Sequence, residues 1–275
     1  MTKFENIKLF KNAQKLKLKN HTWEAIILNR ELLFELLFHL LLDKTNLFYY
    51  ATQMTSTKTI NESKEFIKKL IDNDIIGDSL NDIFSSIGWE DIDISNSRFQ
   101  GDLGEYLMTI LIDTYLDCKT IISKVSLKTS PKVSSFGNDN IFYDFEKNIL
   151  FYGEAKFYNS VKDALNSATS SLKLHNESEL KFITTHSNFI IGEEREELIE
   201  KLELRKYGEF TIKSIVFIIN DDIHLKEDYD KILNDKSNKD SNFDNILKND
   251  IIVFLPILSK EEFLEYFKKE IESIE

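Results

Sequence analysis

In the run Ile-Leu-Phe-Tyr-Gly-Glu-Ala-Lys-Phe-Tyr, residues 149–158, an acid and a base stand among apolar neighbours. Strand side chains alternate between two faces. Ile149, Phe151, Gly153, Ala155 and Phe157 fall on one side; Leu150, Tyr152, Glu154, Lys156 and Tyr158 fall on the other. Glu154 and Lys156 are therefore neighbours on one face of a mostly apolar strand, a costly placement unless they pair or bind something. The Glu-x-Lys spacing alone means little, because Glu62/Lys64 and Glu179/Lys181 repeat it in polar, helix-like surroundings.

Asp139 lies fifteen residues before Glu154 and opens the strand-like segment Ile141 to Phe145. A turn near Lys147-Asn148 would fold that segment back as a hairpin and bring Asp139 close to Glu154. Two carboxylates and the main-chain carbonyl of Ala155 make an all-oxygen site suited to Mg²⁺, with Mn²⁺ as a substitute. A metal so held can activate a water and offset charge on a phosphodiester, while Lys156 steadies the nucleophile or the transition state. A surface turn aspartate beside a structural ion pair accounts for the same residues equally well.

The helical pattern from Asp102 to Asp117 adds a third carboxylate. Asp102, Thr109 and Asp113 form a polar edge, whereas Glu105 shares its face with Ile112 and Leu116. An acid on the packed side of a helix is a candidate third metal ligand. The alternative is an exposed first-turn glutamate favoured by the helix dipole.

Other chemistries find less support. The five histidines are scattered, with no H-x-H or H-E-x-x-H. No phosphate-binding glycine loop and no G-x-S-x-G elbow is present. One cysteine, Cys118, cannot form an internal disulfide, which suits a reducing compartment. The N-terminus shows no secretory pattern. The apolar stretch Leu32 to Leu42 is too short to span a bilayer and holds Glu35 and His39. A cytoplasmic protein with no membrane partner is expected.

The formal net charge of -12 argues against nucleic-acid binding by bulk attraction. The charge is uneven: residues 175–275 hold 14 basic and 24 acidic side chains, whereas residues 118–174 hold 8 lysines against 5 acids. The middle of the chain could still face a phosphate backbone, with Lys124, Lys128 and Lys132 as candidate contacts. A basic run, Lys8 to Lys19, lies near the start.

These residues need elements to position them. Trp23 to Leu42 reads as a buried helix, and Phe66 to Ile76 and Leu80 to Ile87 as two short ones. A boundary near residue 95 then separates a helical N-terminal region, 1–95, from a second domain, 96–275. Beyond the Asp102 helix come strand candidates at Val125–Leu127, Ile141–Phe145 and Ile149–Tyr158. A helix follows through Val161, Ala164, Leu165, Ala168 and Leu172, then a charged one from Glu193 to Leu204. Ile212–Ile219 and Ile251–Leu255 read as buried strands. The polar stretch Lys226–Asn249 reads as a loop with one short helix. Ser259 and Glu262 have capping-box spacing and open a terminal helix. The order is that of an α/β fold with helices packed on a central mixed sheet.

A helix glutamate, then G-x-D, then a strand ending in E-x-K, then a helix resembles the PD-(D/E)xK nuclease superfamily. More narrowly, Gly101-Asp102-Leu103-Gly104-Glu105, Leu127-Lys128-Thr129-Ser130-Pro131, Gly137-Asn138-Asp139 and Gly153-Glu154-Ala155-Lys156-Phe157-Tyr158 resemble the HamA family, nuclease subunits of the Hachiman anti-phage system. The resemblance covers residues 98–175. It implies a restriction-endonuclease-like core with a four-stranded mixed sheet, metal-dependent DNA cleavage, and a partner helicase, HamB, that restrains and then releases the nuclease. Position by position it implies Asp139 and Glu154 as metal ligands, Lys156 as the catalytic lysine and Glu105 as the helix carboxylate. The superfamily's usual proline before its first aspartate is absent, which leaves Asp144 as a rival to Asp139. A catalytically silent subunit docked on a helicase, or a nuclease acting on RNA, would carry the same motifs.

Overall fold

The computed structural model describes residues 14–16, 24–28, 43, 45, 68–70, 72–73, 95–116, 118–123, 139–144, 146–175, 195–203, 211–221, 226–239, 243, 250–257 and 259–274. Within them run β1 (Gln14–Leu16), β2 (Glu24–Ile27), α1 (Ser97–Leu116), β3 (Lys119–Ser123), β4 (Asn140–Asp144), β5 (Ile149–Tyr158), α2 (Val161–His175), α3 (Arg195–Glu203), β6 (Thr211–Asn220), α4 (Lys226–Lys239), β7 (Ile251–Pro256) and α5 (Lys260–Ile274). The strands form one seven-stranded mixed sheet, ordered β1-β2-β7-β6-β5-β4-β3. The central ladder β2-β7-β6-β5 is parallel, and antiparallel pairs close both sides.

Apolar layers cover both faces. On one face α1 and α5 pack Leu103, Leu107, Phe263 and Phe267 against Ala155, Phe217 and Val253. On the other, α2 and α4 pack Ala164, Ala168, Leu172 and Leu233 against Val216, Ile218 and Phe254. Burial from both sides explains why Ile215 to Ile219 is unbroken in its apolarity rather than alternating. Parallel neighbours require crossovers, which α2 and α3 supply between β5 and β6, and α4 between β6 and β7.

The β4–β5 hairpin forms where the spacing predicts it. Asp144 accepts the Lys147 N–H at 2.9 Å and the Lys147 ammonium at 2.7 Å. Asn148 takes the left-handed conformation, φ 53°, which asparagine tolerates, and accepts the Tyr143 hydroxyl at 2.7 Å. The Lys147 contacts hold the Asp144 carboxyl below its ordinary range, against an opposing desolvation. The α5 start also holds: the Glu262 N–H donates to Ser259 Oγ at 3.2 Å.

Several expected elements differ. Glu24–Ile27, placed in a buried helix, is strand β2, paired with β7. A short apolar run buried on both faces has no period to tell strand from helix. Trp23, residues 29–42 and the Leu80–Ile87 helix lie outside the described residues. In the Phe66–Ile76 segment, Lys68, Lys69, Leu70 and Asp72 are helical. A domain boundary near residue 95 does not detach the whole N-terminal region, because β1 and β2 belong to the common sheet. That sheet is wider than the four strands the resemblance implied. Val125–Leu127 lies outside the described residues, and β3 is Lys119–Ser123. The short helix expected within the loop Lys226–Asn249 is the 14-residue α4, anchored by the fully buried Tyr229 and Leu233.

Gly153 is required by packing. A Cβ there would come within 2.7 Å of Phe142 and 3.0 Å of Met108, both fully buried. Overpacking of this kind costs about 1–3 kcal/mol. Gly153→Ala is expected to lower the midpoint of urea unfolding accordingly, and an unchanged midpoint would show that the sheet and α1 can part freely.

Candidate metal centre on the fifth strand

The two faces of β5 separate packing from chemistry. Gly153, Ala155 and Phe157 face α1; a Cβ at Gly104 would lie 3.8 Å from both Ala155 and Phe157. Glu154, Lys156 and Tyr158 face α2, where Ser167 Oγ meets the Tyr158 hydroxyl at 3.1 Å and Ser171 lies beside Glu154. Lys156 Nζ donates to Glu154 Oε1. Glu154 is 2 % exposed, so the acid of this pair is held out of water while the lysine keeps some exposure. Among the described residues, the second oxygen, Oε2, is buried and accepts no full hydrogen bond.

Asp139 stands directly before β4 and is buried. The ladder ends at Asn140 and Gly153, and Asp139, just beyond it, lies beside Glu154. Its N–H donates to the Gly153 carbonyl at 3.0 Å, and its Oδ2 accepts the Ala155 N–H at 2.8 Å. A strand residue's N–H and C=O point the same lateral way. The Ala155 carbonyl is therefore directed toward the Asp139 side, and both carboxylates and this carbonyl share one end of the hairpin.

The electrostatics follow from that crowding. Burial, joined by the Asp139 charge, pushes the Glu154 carboxyl up to about 7 against the opposing pull of Lys156 and Ser171. A buried carboxyl beside a second one, touched by one cation among the described residues, is poised to exchange its proton for a divalent ion.

Glu105 is buried on α1, as its apolar face predicts. It does not join Asp139 and Glu154, because no three His, Cys, Asp or Glu side chains gather among the described residues. The helix covers the opposite face of β5. Its link to the site is one turn on: Thr109 Oγ1 donates to the Glu105 carbonyl at 2.8 Å and accepts the Asn140 amide at 2.9 Å, next to Asp139. Asp144 sits at the other end of β4, about 16 Å along the strand from Asp139, and is spent on the turn. Lys124, Lys128 and Lys132 lie outside the described residues. Cys118 is buried.

Sequence reading missed Ser167, Ser171 and the Thr109–Asn140 bond. The serines had a signal: they lie four apart on α2, flanking the stripe of Ala164, Ala168 and Leu172. The Thr109–Asn140 bond had none, since it joins residues 31 apart in sequence. Lys260 was also missed. It donates to the Phe157 carbonyl at 3.2 Å, and its ammonium stands 4.9 Å from the centre of the Phe157 ring.

No described helix is long and apolar enough to cross a membrane. No curated protein matches the chain. The HamA family model matches residues 34–271, which include the whole hairpin, α1 and the sheet from β3 to β7. The chain belongs to the HamA family.

Proposed function

We propose that this chain is the nuclease subunit of a Hachiman anti-phage system, cleaving DNA with a divalent metal and working with a helicase partner. The observation that carries this reading is buried Asp139 bonded to Gly153 and Ala155, the residues on either side of buried Glu154, with Lys156 next to them. A purely structural role explains the ion pair but not the second carboxylate, which raises the cost of ionising the first.

The donor set suits Mg²⁺ or Mn²⁺: Asp139, the buried Oε2 of Glu154 and the Ala155 carbonyl are all hard oxygens. Bound there, the ion would lower the pKa of a water and offset charge on the phosphodiester. The chain's own groups do the rest. The Ala155 N–H fixes the Asp139 carboxylate. Glu154 anchors Lys156, whose side chain keeps some exposure and would donate to an oxygen of the scissile phosphate. Glu105 is proposed as a supporting carboxylate, held by the α1 turn that grips Asn140. The fold would then be a PD-(D/E)xK core widened by β1, β2 and β3, with the first 95 residues contributing to partner binding.

The direct Lys156–Glu154 contact favours a second reading, a catalytically silent subunit that docks on a helicase. Plasmid DNA incubated with the purified chain and Mg²⁺, with and without the helicase and ATP, separates the two. Cleavage that disappears in EDTA and in the Glu154→Ala/Lys156→Ala chain supports the nuclease. Absence of cleavage even with helicase and ATP supports the silent subunit, and matched RNA tests the choice of sugar.

A further inference from the structure

Tyr158 is one of three exposed large hydrophobic residues among those described. Ile212 lies at the amino end of β6 and Tyr266 on α5, whereas Tyr158 stands on the same strand face as Glu154 and Lys156. It follows Lys156 by two positions, about 6.6 Å along the strand. The core does not need its ring. Its register neighbour on β6, Asn220, is fully buried and donates to the Tyr229 hydroxyl at 3.3 Å, so that position is already filled. The ring is nonetheless held in place, because its hydroxyl is bonded to Ser167 on α2. An aromatic face that is ordered, exposed and next to a cation is the arrangement on which nucleobases stack.

We propose that Tyr158 is a stacking platform for an unpaired nucleobase, so that the site takes a single-stranded or splayed-out nucleotide beside Lys156. The inference rests on the nuclease reading and adds a substrate class to it. In a duplex both faces of each base are covered by neighbours, and a step advances only about 3.4 Å. Only an unstacked base can offer a face to a ring 6–7 Å or so beyond the phosphate-facing lysine. Stacking also suits a chain of net charge -12, which cannot hold a polyanion by bulk attraction.

The test is the binding of fluorescently labelled oligothymidylate to the full chain in EDTA, where no cleavage intervenes. A strand of the same length that lacks bases, and a hairpin duplex, are run beside it. Tyr158→Ala is expected to weaken oligothymidylate binding about tenfold. Tyr158→Phe, which keeps the ring and loses only the Ser167 bond, should stay within about threefold of the parent. The base-less strand should bind both chains alike, and the duplex should bind more weakly than oligothymidylate. Equal losses on the strands with and without bases would overturn the proposal. So would unchanged affinity in Tyr158→Ala, a parent chain that binds no oligothymidylate, or a loss confined to helicase binding. Failure of the nuclease reading appears separately, as absence of Mg²⁺-dependent cleavage by the parent chain even with the helicase and ATP.

Discussion

Replacing Glu154 by glutamine should reduce Mg²⁺-dependent DNA cleavage by at least about a hundredfold while making the metal-free chain more stable at pH 8. The first effect follows from the ligand set, since a site of two carboxylates and a carbonyl loses half its charge with one of them. Even partners one step removed from a metal cost tenfold to a hundredfold when changed. The second effect follows from burial. Ionising a carboxyl whose pKa stands near 7, against an ordinary 4.5, costs roughly 3 kcal/mol at pH 8. Glutamine keeps an oxygen for Lys156 but leaves a buried amide in place of Oε2, a penalty of about 1–3 kcal/mol. A net gain on the order of 1 kcal/mol remains. At pH 5 the glutamic acid is already protonated in the folded chain, so most of the gain goes, the amide penalty remains, and the variant should be less stable by about 1 kcal/mol. Cleavage rates and urea unfolding at both pH values check this. Activity equal to that of the parent would remove Glu154 from the chemistry, and a stability loss at pH 8 would show that the carboxylate is well satisfied without a metal. Opposite signs for activity and stability are what a site retained for function should give.

Much of this arrangement was legible in the chain because it is local. The alternation of β5 by itself put Glu154 and Lys156 on one face, and a hairpin of known turn position brought Asp139 beside Glu154. Buried strands such as β6 announce themselves by continuous apolarity, and the α5 cap by its serine and glutamate. What failed was decided by partners far away in sequence. Ala25 to Leu28 is apolar enough for either helix or strand, and only pairing with β7 makes Glu24–Ile27 a strand. The polar composition of α4 announced only a short helix within a loop, whereas buried Tyr229 and Leu233 anchor a helix of 14 residues. The apolar face of Glu105 foretold its burial, which holds, but not a place among the ligands. An apolar face says that a residue is buried, not which side of the sheet it is buried against. Asp139 and Asp144 could not be separated by composition, but the turn's demand for an acceptor at Lys147 assigns Asp144 to it.

Lys156→Met should produce a stability defect that depends on pH, and its shape distinguishes a metal site from a structural ion pair. In the parent, the Glu154 carboxyl titrates near 7 when folded and near 4.5 when unfolded. The folded chain therefore binds more protons between those values, and stability falls as pH rises through that window. Removing Lys156 deletes the cation that holds this pKa down, so the folded carboxyl titrates higher still and the fall continues above pH 7. At pH 5 both chains carry a neutral Glu154 and should differ by little more than the packing change. At pH 8.5 the variant should be less stable by about 1.4 kcal/mol for each unit that the folded pKa has risen, roughly 2 kcal/mol in all. Asp250, also pushed up to about 7 by burial, titrates in the same window in both chains, so the difference isolates the site. A saturating divalent ion should then shrink the defect, because it replaces the lost positive charge beside Glu154 and Asp139. A structural salt bridge predicts the same pH dependence without metal, but no recovery on adding it. Urea unfolding of both chains at pH 5 and 8.5, with and without Mg²⁺, reads all of these at once; a defect of equal size in every condition would mean that Lys156 matters for packing alone.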